Sequence, residues 1–269
     1  MSNQIFQSES FYVNLSEAVH ALSGIILFNF AKHECSKKDL IIRNFVARSA
    51  TSLKSVMSLW RLGDYPNAWV INRTMLDRLF HLYDLGQNNT HQLFDDWSFY
   101  RQYKDQNRLK SDIEFKDKAA GSEYEISKIQ KERFNKLSNN IPKWKRPNAE
   151  KVAKDMDMSF LYKYGYDYGS MFVHPMSDDG LHDFYLITKL EPQEEQPSHI
   201  AVLSNSVLAS IMIMLEAISQ SSFRWMTILF DCIGELRAAI ESGDESYMQT
   251  MVKLIFNFKE ISLSEKLSV

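Results

Sequence analysis

Only two cysteines, six prolines and nine glycines occur in the 269 residues, and each scarcity excludes something. Cys35 and Cys232 stand far apart in sequence and form neither a metal knuckle nor a redox pair, so a disulfide scaffold and a zinc-finger architecture drop out. The few prolines and glycines leave little room for a turn-rich β architecture. A Gly-rich phosphate loop and a Gly-x-Ser-x-Gly elbow are both missing, so P-loop nucleotide hydrolysis and serine-hydrolase chemistry lose their support. No internal repeat or low-complexity tract is present either.

Long apolar runs are equally scarce. Residues 11–30, FYVNLSEAVHALSGIILFNF, reach membrane-span length, but Asn14, Glu17, His20 and Asn29 interrupt them, and no cationic segment or small-residue cleavage site precedes them. They read as a buried amphipathic helix. The run VLASIMIMLEAI, Val207 to Ile218, is short for a bilayer and carries Glu216, so it reads as a central bundle helix and no membrane segment is expected. Twelve methionines beside unpaired thiols suit adaptable packing in a reducing compartment, with the cytoplasm the default. The segment HPMSDDGLHD gathers His174, Asp178, Asp179, His182 and Asp183, but Pro175 and Gly180 break the spacing a helix-borne ligand pair needs. A solvated loop is expected there, with no metal and no cofactor.

What is present is helical periodicity. Hydrophobic residues make up 45% of the chain and charged ones 24%, ordinary for a globular protein long enough to bury a large core. Ile42, Phe45, Val46, Leu53, Val56, Met57 and Trp60 recur at helical steps after Asp39, which suits an N-cap. A turn at Gly63 to Pro66 then leads into a helix ending at Gly86, so the two should form an antiparallel hairpin. The all-α fold expected is a helical bundle, a single domain over 1–269, with a charged helical arm at 101–154 inserted between core helices. The arm holds fifteen Lys/Arg against eight Asp/Glu, although the whole chain carries a net charge of -3. A basic arm on an acidic body points toward a polyanion. Three helices, about Ile200 to Ser221, Phe223 to Ser242 and Asp244 to Ile261, should complete the core beyond the linker ITKLEPQEEQPSH.

Three stretches carry candidate chemistry. In NRTMLDRLFH, Arg73, Asp77 and His81 step by four along one helix face. Arg73 and Asp77 are either an i,i+4 ion pair on a solvated face, or a pair in which Asp77 orients Arg73 toward a phosphate. In YGYDYGSMFVHP, Tyr166, Ser170 and His174 continue a four-residue stripe that begins at Tyr162, and Gly165 and Gly169 permit a close neighbour on another face. Pro175 sets His174 at the helix end, where it is either a solvent-facing terminus or a proton-transfer group. In the arm, Lys143, Lys145 and Arg146 surround Trp144. This is either a connector whose tryptophan packs on the arm, or a surface that stacks an unpaired base beside phosphate contacts.

The run LWRLGDYPNAWVINRTMLDRLFHLYDLG, followed far downstream by the Tyr-rich helix ending in Ser-x-x-x-His-Pro, resembles an uncharacterised bacterial family of all-helical proteins. Its usual pattern is Arg-x-x-x-Glu plus Ser-x-x-x-His-Pro, and Asp77 stands here where that pattern has Glu. The family is similar in layout to HEPN bundles, several of which are dimeric RNA-cleaving toxins or antiviral effectors. The resemblance marks Arg73, Asp77, Ser170 and His174 as the shared polar cluster, covers about Arg43 to Asp105 and Leu161 to Leu181, and implies a metal-independent ribonuclease or RNA-directed effector in anti-phage defence, acting as a homodimer. HEPN ribonucleases carry Arg, four to six intervening residues, then His on one helix, and this chain does not, so catalysis requires Arg73 and His174 to meet from two helices. The other reading of the same cluster is a non-catalytic interaction module that binds a partner protein or a small anion.

Overall fold

Serine, glycine and asparagine punctuate the first three helices. The computed structural model describes residues 7–114, 127–174, 176–177, 180–190, 199–223 and 228–266. Helix α1, Glu9–Lys32, starts at Ser8, whose hydroxyl accepts from the Phe11 amide. Helix α2, Lys37–Arg61, is capped by Ser36 rather than by Asp39: the Ser36 hydroxyl accepts from the Asp39 amide, and the Asp39 carboxylate accepts from the Ser36 amide. Ser-x-x-Asp forms a reciprocal capping box, which places the acid one turn inside the helix. The helix stops where Gly63 takes φ 76°, with the Asp64 amide donating to Leu59 O and the Gly63 amide to Trp60 O. Those two bonds satisfy carbonyls that the helix end would leave orphaned. Helix α3, Tyr65–Asn88, opens with Pro66 in its first turn and runs past Gly86. Asn89 at φ 49° ends it, because asparagine tolerates the left-handed region nearly as well as glycine.

The described residues are helical, turn or irregular, with no strand among them. They fall into two compact units, Met1–Asp84 with Pro147–Val269, and Leu85–Arg146. The inserted unit therefore begins at 85 and closes at 146, where the charge pattern alone suggests 101 and 154. Its first half is helix α4, His91–Ser111, and its second is α5, Lys128–Ser138, which packs back on α4. The aromatic residues explain the earlier boundary. Phe94 and Trp97, at the start of α4, close on Trp144, and Tyr100 and Tyr103 stack on Phe134. Positions 115–126 of the expected arm lie outside the described residues.

The larger unit continues with α6 (Ala149–Asp155), α7 (Ser159–Leu161), a π-helical turn over Tyr162–Asp167, α8 (Tyr168–Ser170) and α9 (Leu181–Thr188). Then come α10 (His199–Gln220), α11 (Ile228–Ser242) and α12 (Tyr247–Lys266), with Gly243 at φ 72° between the last two. Of the expected linker, 191–198 lie outside the described residues, as do 224–227. Helix α10 packs on α1, α2 and α11, and α12 packs on α11 and α1. Val202, Val207, Ile211, Ile213 and Ile218 of α10 are buried in this core. At 22 residues α10 is longer than its most apolar run, so α1 and α10 are both long and apolar enough to cross a membrane by length and composition. Half of the tested window of α1 and 67% of that of α10 is buried inside the bundle, which accounts for their hydropathy.

Candidate anion site at the π turn

One face of α3 presents Trp69, Asn72, Arg73 and Leu76, which recur at three- and four-residue spacing. The two glycines of the Tyr-rich stretch sit against that face. A Cβ added at Gly169 would lie 2.9 Å from both Arg73 Cβ and the Trp69 carbonyl oxygen, and one at Gly165 would lie 2.5 Å from Leu76 Cδ1. At Gly169 the obstacles are a backbone oxygen and a Cβ, so only glycine permits the approach there, whereas at Gly165 it is the turnable end of the Leu76 side chain; Gly-x-x-x-Gly is the seat on which the two segments meet. The π turn lies at this contact, and single π turns inside helices often accompany functional sites. From α10, Asn205 donates to the Tyr164 carbonyl at 3.1 Å. Asn72, fully buried, donates to the Ser206 hydroxyl at 2.9 Å, while its Oδ1 has no protein donor.

This seat brings together residues 97 positions apart in sequence. Arg73 Nε donates to the Ser170 hydroxyl at 2.7 Å, an Nη donates to the Tyr166 hydroxyl at 3.4 Å, and the guanidinium carbon stands 4.7 Å from the Tyr166 ring centroid. Ser170 gives its own proton to the Tyr166 carbonyl at 2.8 Å. Its hydroxyl is thereby committed on both sides, which suits a brace and not a nucleophile. Tyr162 stacks on Tyr166 at 5.5 Å and 16°, and Phe80 lies 6.0 Å from Tyr166. Burial, then the nearby Asp167 and Glu150 charges, push the Tyr162 hydroxyl pKa up, and burial pushes Tyr168 up. These phenols stay protonated at neutral pH.

The electrostatics follow from these partners. Arg73 is half-buried, and its recorded hydrogen bonds end on neutral hydroxyls. Of the roughly five N–H donors of a guanidinium, two are engaged, leaving an edge able to grip a carboxylate or phosphate in two-point fashion. Asp77, half-buried on the next turn, is not where Arg73 is hydrogen-bonded; the two hydroxyls take the orienting position expected of it. The Asp77 charge acts on Arg78, where it opposes burial and the Arg48 charge, which together depress that guanidinium's pKa.

The remaining expected residues are placed as follows. His174 is exposed just beyond the turn closed by the Val173 amide on Ser170 O at 3.1 Å, and no hydrogen bond among the described residues joins it to Arg73, Tyr166 or Ser170. Trp144, one of whose expected roles is to stack a base, is 7% exposed, with its ring 4.9 Å from Phe94 and 4.7 Å from Trp97. Its ring faces are spent inside the arm, which corrects the stacking reading and agrees with the packing one. Lys143, Lys145 and Arg146 are exposed around it. Among the described residues no group of three or more His, Cys, Asp or Glu is arranged to hold a metal ion; Asp178, Asp179 and the His182 side chain lie outside them.

The molecule is thus an all-helical bundle with an inserted two-helix arm and an arginine seated by a π turn. A family model described as "Family of unknown function (DUF5677)" matches residues 39–191, more than half of the chain, and the chain belongs to that family. The match runs from α2 to just past α9 and contains Arg73, Asp77, Tyr166, Ser170 and His174. No curated protein and no solved structure matches the chain.

Proposed function

We propose that the protein is a cytoplasmic, HEPN-like RNA-directed effector of anti-phage defence in which Arg73 holds a backbone phosphate. The observation that carries this reading is the half-buried Arg73 guanidinium, stacked on Tyr166 and bonded to two hydroxyls, with no carboxylate hydrogen-bonded to it among the described residues. A cation taken partly out of water without a counter-charge is completed by an anion. Arg73 binds the phosphate, and Ser170 and Tyr166 position Arg73. Asp77 adds a negative charge one turn along α3 that tunes the site, and the exposed Lys143, Lys145 and Arg146 supply further phosphate contacts. In the catalytic form of the proposal, the ribose 2'-oxygen attacks the adjacent phosphate to form a 2',3'-cyclic phosphate while the bond from phosphorus to the 5'-oxygen breaks, and His174 takes the 2'-hydroxyl proton or gives one to the departing 5'-oxygen. No metal is required for that step.

Incubation of the purified protein with total RNA, together with anisotropy on a fluorescent single-stranded RNA, tests the reading. Arg73→Ala should abolish binding and cleavage together, and Arg73→Lys should restore binding in part. His174→Ala should lose cleavage and keep binding. Intact RNA and no binding by the parent protein at high concentration would sink the proposal.

A second reading, the interaction module, is favoured by a separate observation. Tyr164, Met171, Met176, Phe184, Ile187 and Leu190 are all exposed large hydrophobics within residues 164–190, the stretch that carries Tyr166 and Ser170, and exposed apolar residues concentrated in this way favour a protein contact. The occupant is a second copy of the chain, as in a homodimer, or a partner protein. Light scattering on the parent and on an Ile187→Lys variant separates the two: a dimer that the variant splits supports self-association.

A further inference from the structure

Helices α1 and α2 meet around a cleft of about 300 Å³ that the anion-site reading does not use. Its origin is local. Ser16 and Ala21 on α1 and Ser58 on α2 are short, so the facing surfaces do not fill the space between them. The two serine hydroxyls are already spent on their own helices, Ser16 on Tyr12 O and Ser58 on Lys54 O. The floor is apolar, with Leu53 1% and Met57 6% exposed. The rim is polar: Glu17, His20, Lys54 and Arg61 are all exposed side chains that line it.

The register of the hairpin sorts these rim groups. Because α1 and α2 are consecutive, joined by residues 33–36 and packed together, they run antiparallel. Arg61 lies 3.6 Å from Glu17 and closes one end with a neutralised pair. Moving toward the C-terminus of α1 reaches His20 about one turn on, and moving toward the N-terminus of α2 reaches Lys54 about two turns on, so both lie on the same side of that pair. Lys54 has no carboxylate partner among the described residues. The cleft therefore has an apolar floor, a neutral end and a cationic end, the complement of a small molecule with a greasy body and one negative group.

We propose that this cleft binds an amphipathic monoanion, an aryl- or alkyl-carboxylic acid, with its apolar body on Leu53 and Met57 and its carboxylate at Lys54 and His20. The volume fits a body of one ring or a short alkyl chain. The Arg61–Glu17 contact is an exposed pair that a ligand's far end slides past at little cost. The proposal is independent of the Arg73 site and stands or falls without it.

The test uses the full chain carrying ¹³C-methyl methionine, 4-phenylbutyrate as the probe and 4-phenylbutyramide as its neutral twin, with the Met57 signal assigned from Met57→Leu. The acid should move the Met57 methyl and bind about tenfold tighter than the amide, the worth of one charge-assisted contact. Lys54→Gln, an exposed change, should bring the acid down to the affinity of the amide. Ala21→Phe should fill the cleft and remove both. A Met57 methyl unmoved by millimolar acid, equal binding of acid and amide, or a Lys54→Gln protein that binds the acid as the parent does would each overturn it.

Discussion

Among the arginines that rest on aromatic rings in this molecule, Arg73 and Arg133 are finished in opposite ways. In the inserted unit, Arg133 lies 4.3 Å from the Phe99 ring centroid and donates to Asp95 at 2.6 Å and Asp96 at 2.7 Å. Burial works against its charge, but the hydrogen bonds and charges of Asp96 and Asp95 outweigh it and raise its pKa. In the larger unit, Arg73 lies 4.7 Å from the Tyr166 ring centroid and donates to the hydroxyls of Ser170 and Tyr166 rather than to carboxylates. Arg133 is a closed clamp whose ligands come with the fold. Arg73 is oriented with equal care but left electrostatically unfinished, and a protein that needed only a structural pin had the Arg133 solution at hand.

The largest effect should come from disturbing the seat of the open arginine. Gly169→Ala sets a methyl 2.9 Å from a backbone oxygen and from Arg73 Cβ, and neither has a flexible end to turn aside. Overpacking of this kind costs about 3 kcal/mol, to be read as a lowered urea midpoint, and RNA or phosphate binding should fall with it. An unchanged midpoint would mean that the helices part without cost and that the seat is not tight. Next comes the closed clamp. Arg133→Met removes the cation that lies between two carboxylates and should cost about 2 kcal/mol, seen as faster amide exchange in α4 and α5, with anion binding at Arg73 intact. Loss of anion binding in that variant would erase the distinction between the two arginines.

The sequence made the helices legible and the site only half so, for physical reasons that differ by residue. Periodicity and stop signals located the long helices, because burying an apolar stripe and satisfying end groups are local requirements, whereas α9 begins at Leu181 inside the segment expected to be a loop. The misassigned ends were degenerate choices: Ser36 and Asp39 both cap well, and Asn89 replaces the glycine expected at Gly86. The π turn was invisible, since Tyr162, Tyr166 and Ser170 share a face whether the turn holds four or nearly five residues. Gly165 and Gly169 announced a close neighbour but not which helix supplied it. Trp144 shows the reverse problem, for basic residues flank a buried aromatic as readily as an exposed one. The bond from Arg73 to Ser170 spans 97 positions, and no local pattern encodes such a contact.

Removing the open arginine itself should scarcely affect the fold. Arg73→Met keeps the stem packed on α8 and loses one cation–ring contact together with the hydrogen bonds to Ser170 and Tyr166, whose hydroxyls water can serve instead, a loss of about 1 kcal/mol at a half-exposed site, while binding of a phosphate ligand should drop at least about tenfold. Calorimetric titration with a short RNA, set beside the thermal midpoint, reads both quantities. A variant that loses stability as Arg133→Met does, and binds as the parent does, would make Arg73 a second closed clamp.

The smallest effect concerns a closed charge of the opposite sign. Asp39 is fully buried; burial pushes its pKa up, yet the amide and hydroxyl of Ser222, at 3.0 and 2.6 Å, and then those of Ser36, outweigh it and hold the pKa below the usual carboxylate range. A carboxyl that is more acidic folded than unfolded binds fewer protons in the native state, so its contribution is fully present above the unfolded pKa of about 3.9 and fades as pH falls through the lower folded value. Thermal midpoints of the parent should therefore decline below about pH 4 more steeply than those of Asp39→Asn, which has no proton to gain. Parallel curves would mean that the four bonds hold the acid and the amide equally, and that a closed charge in this fold is retained for geometry alone.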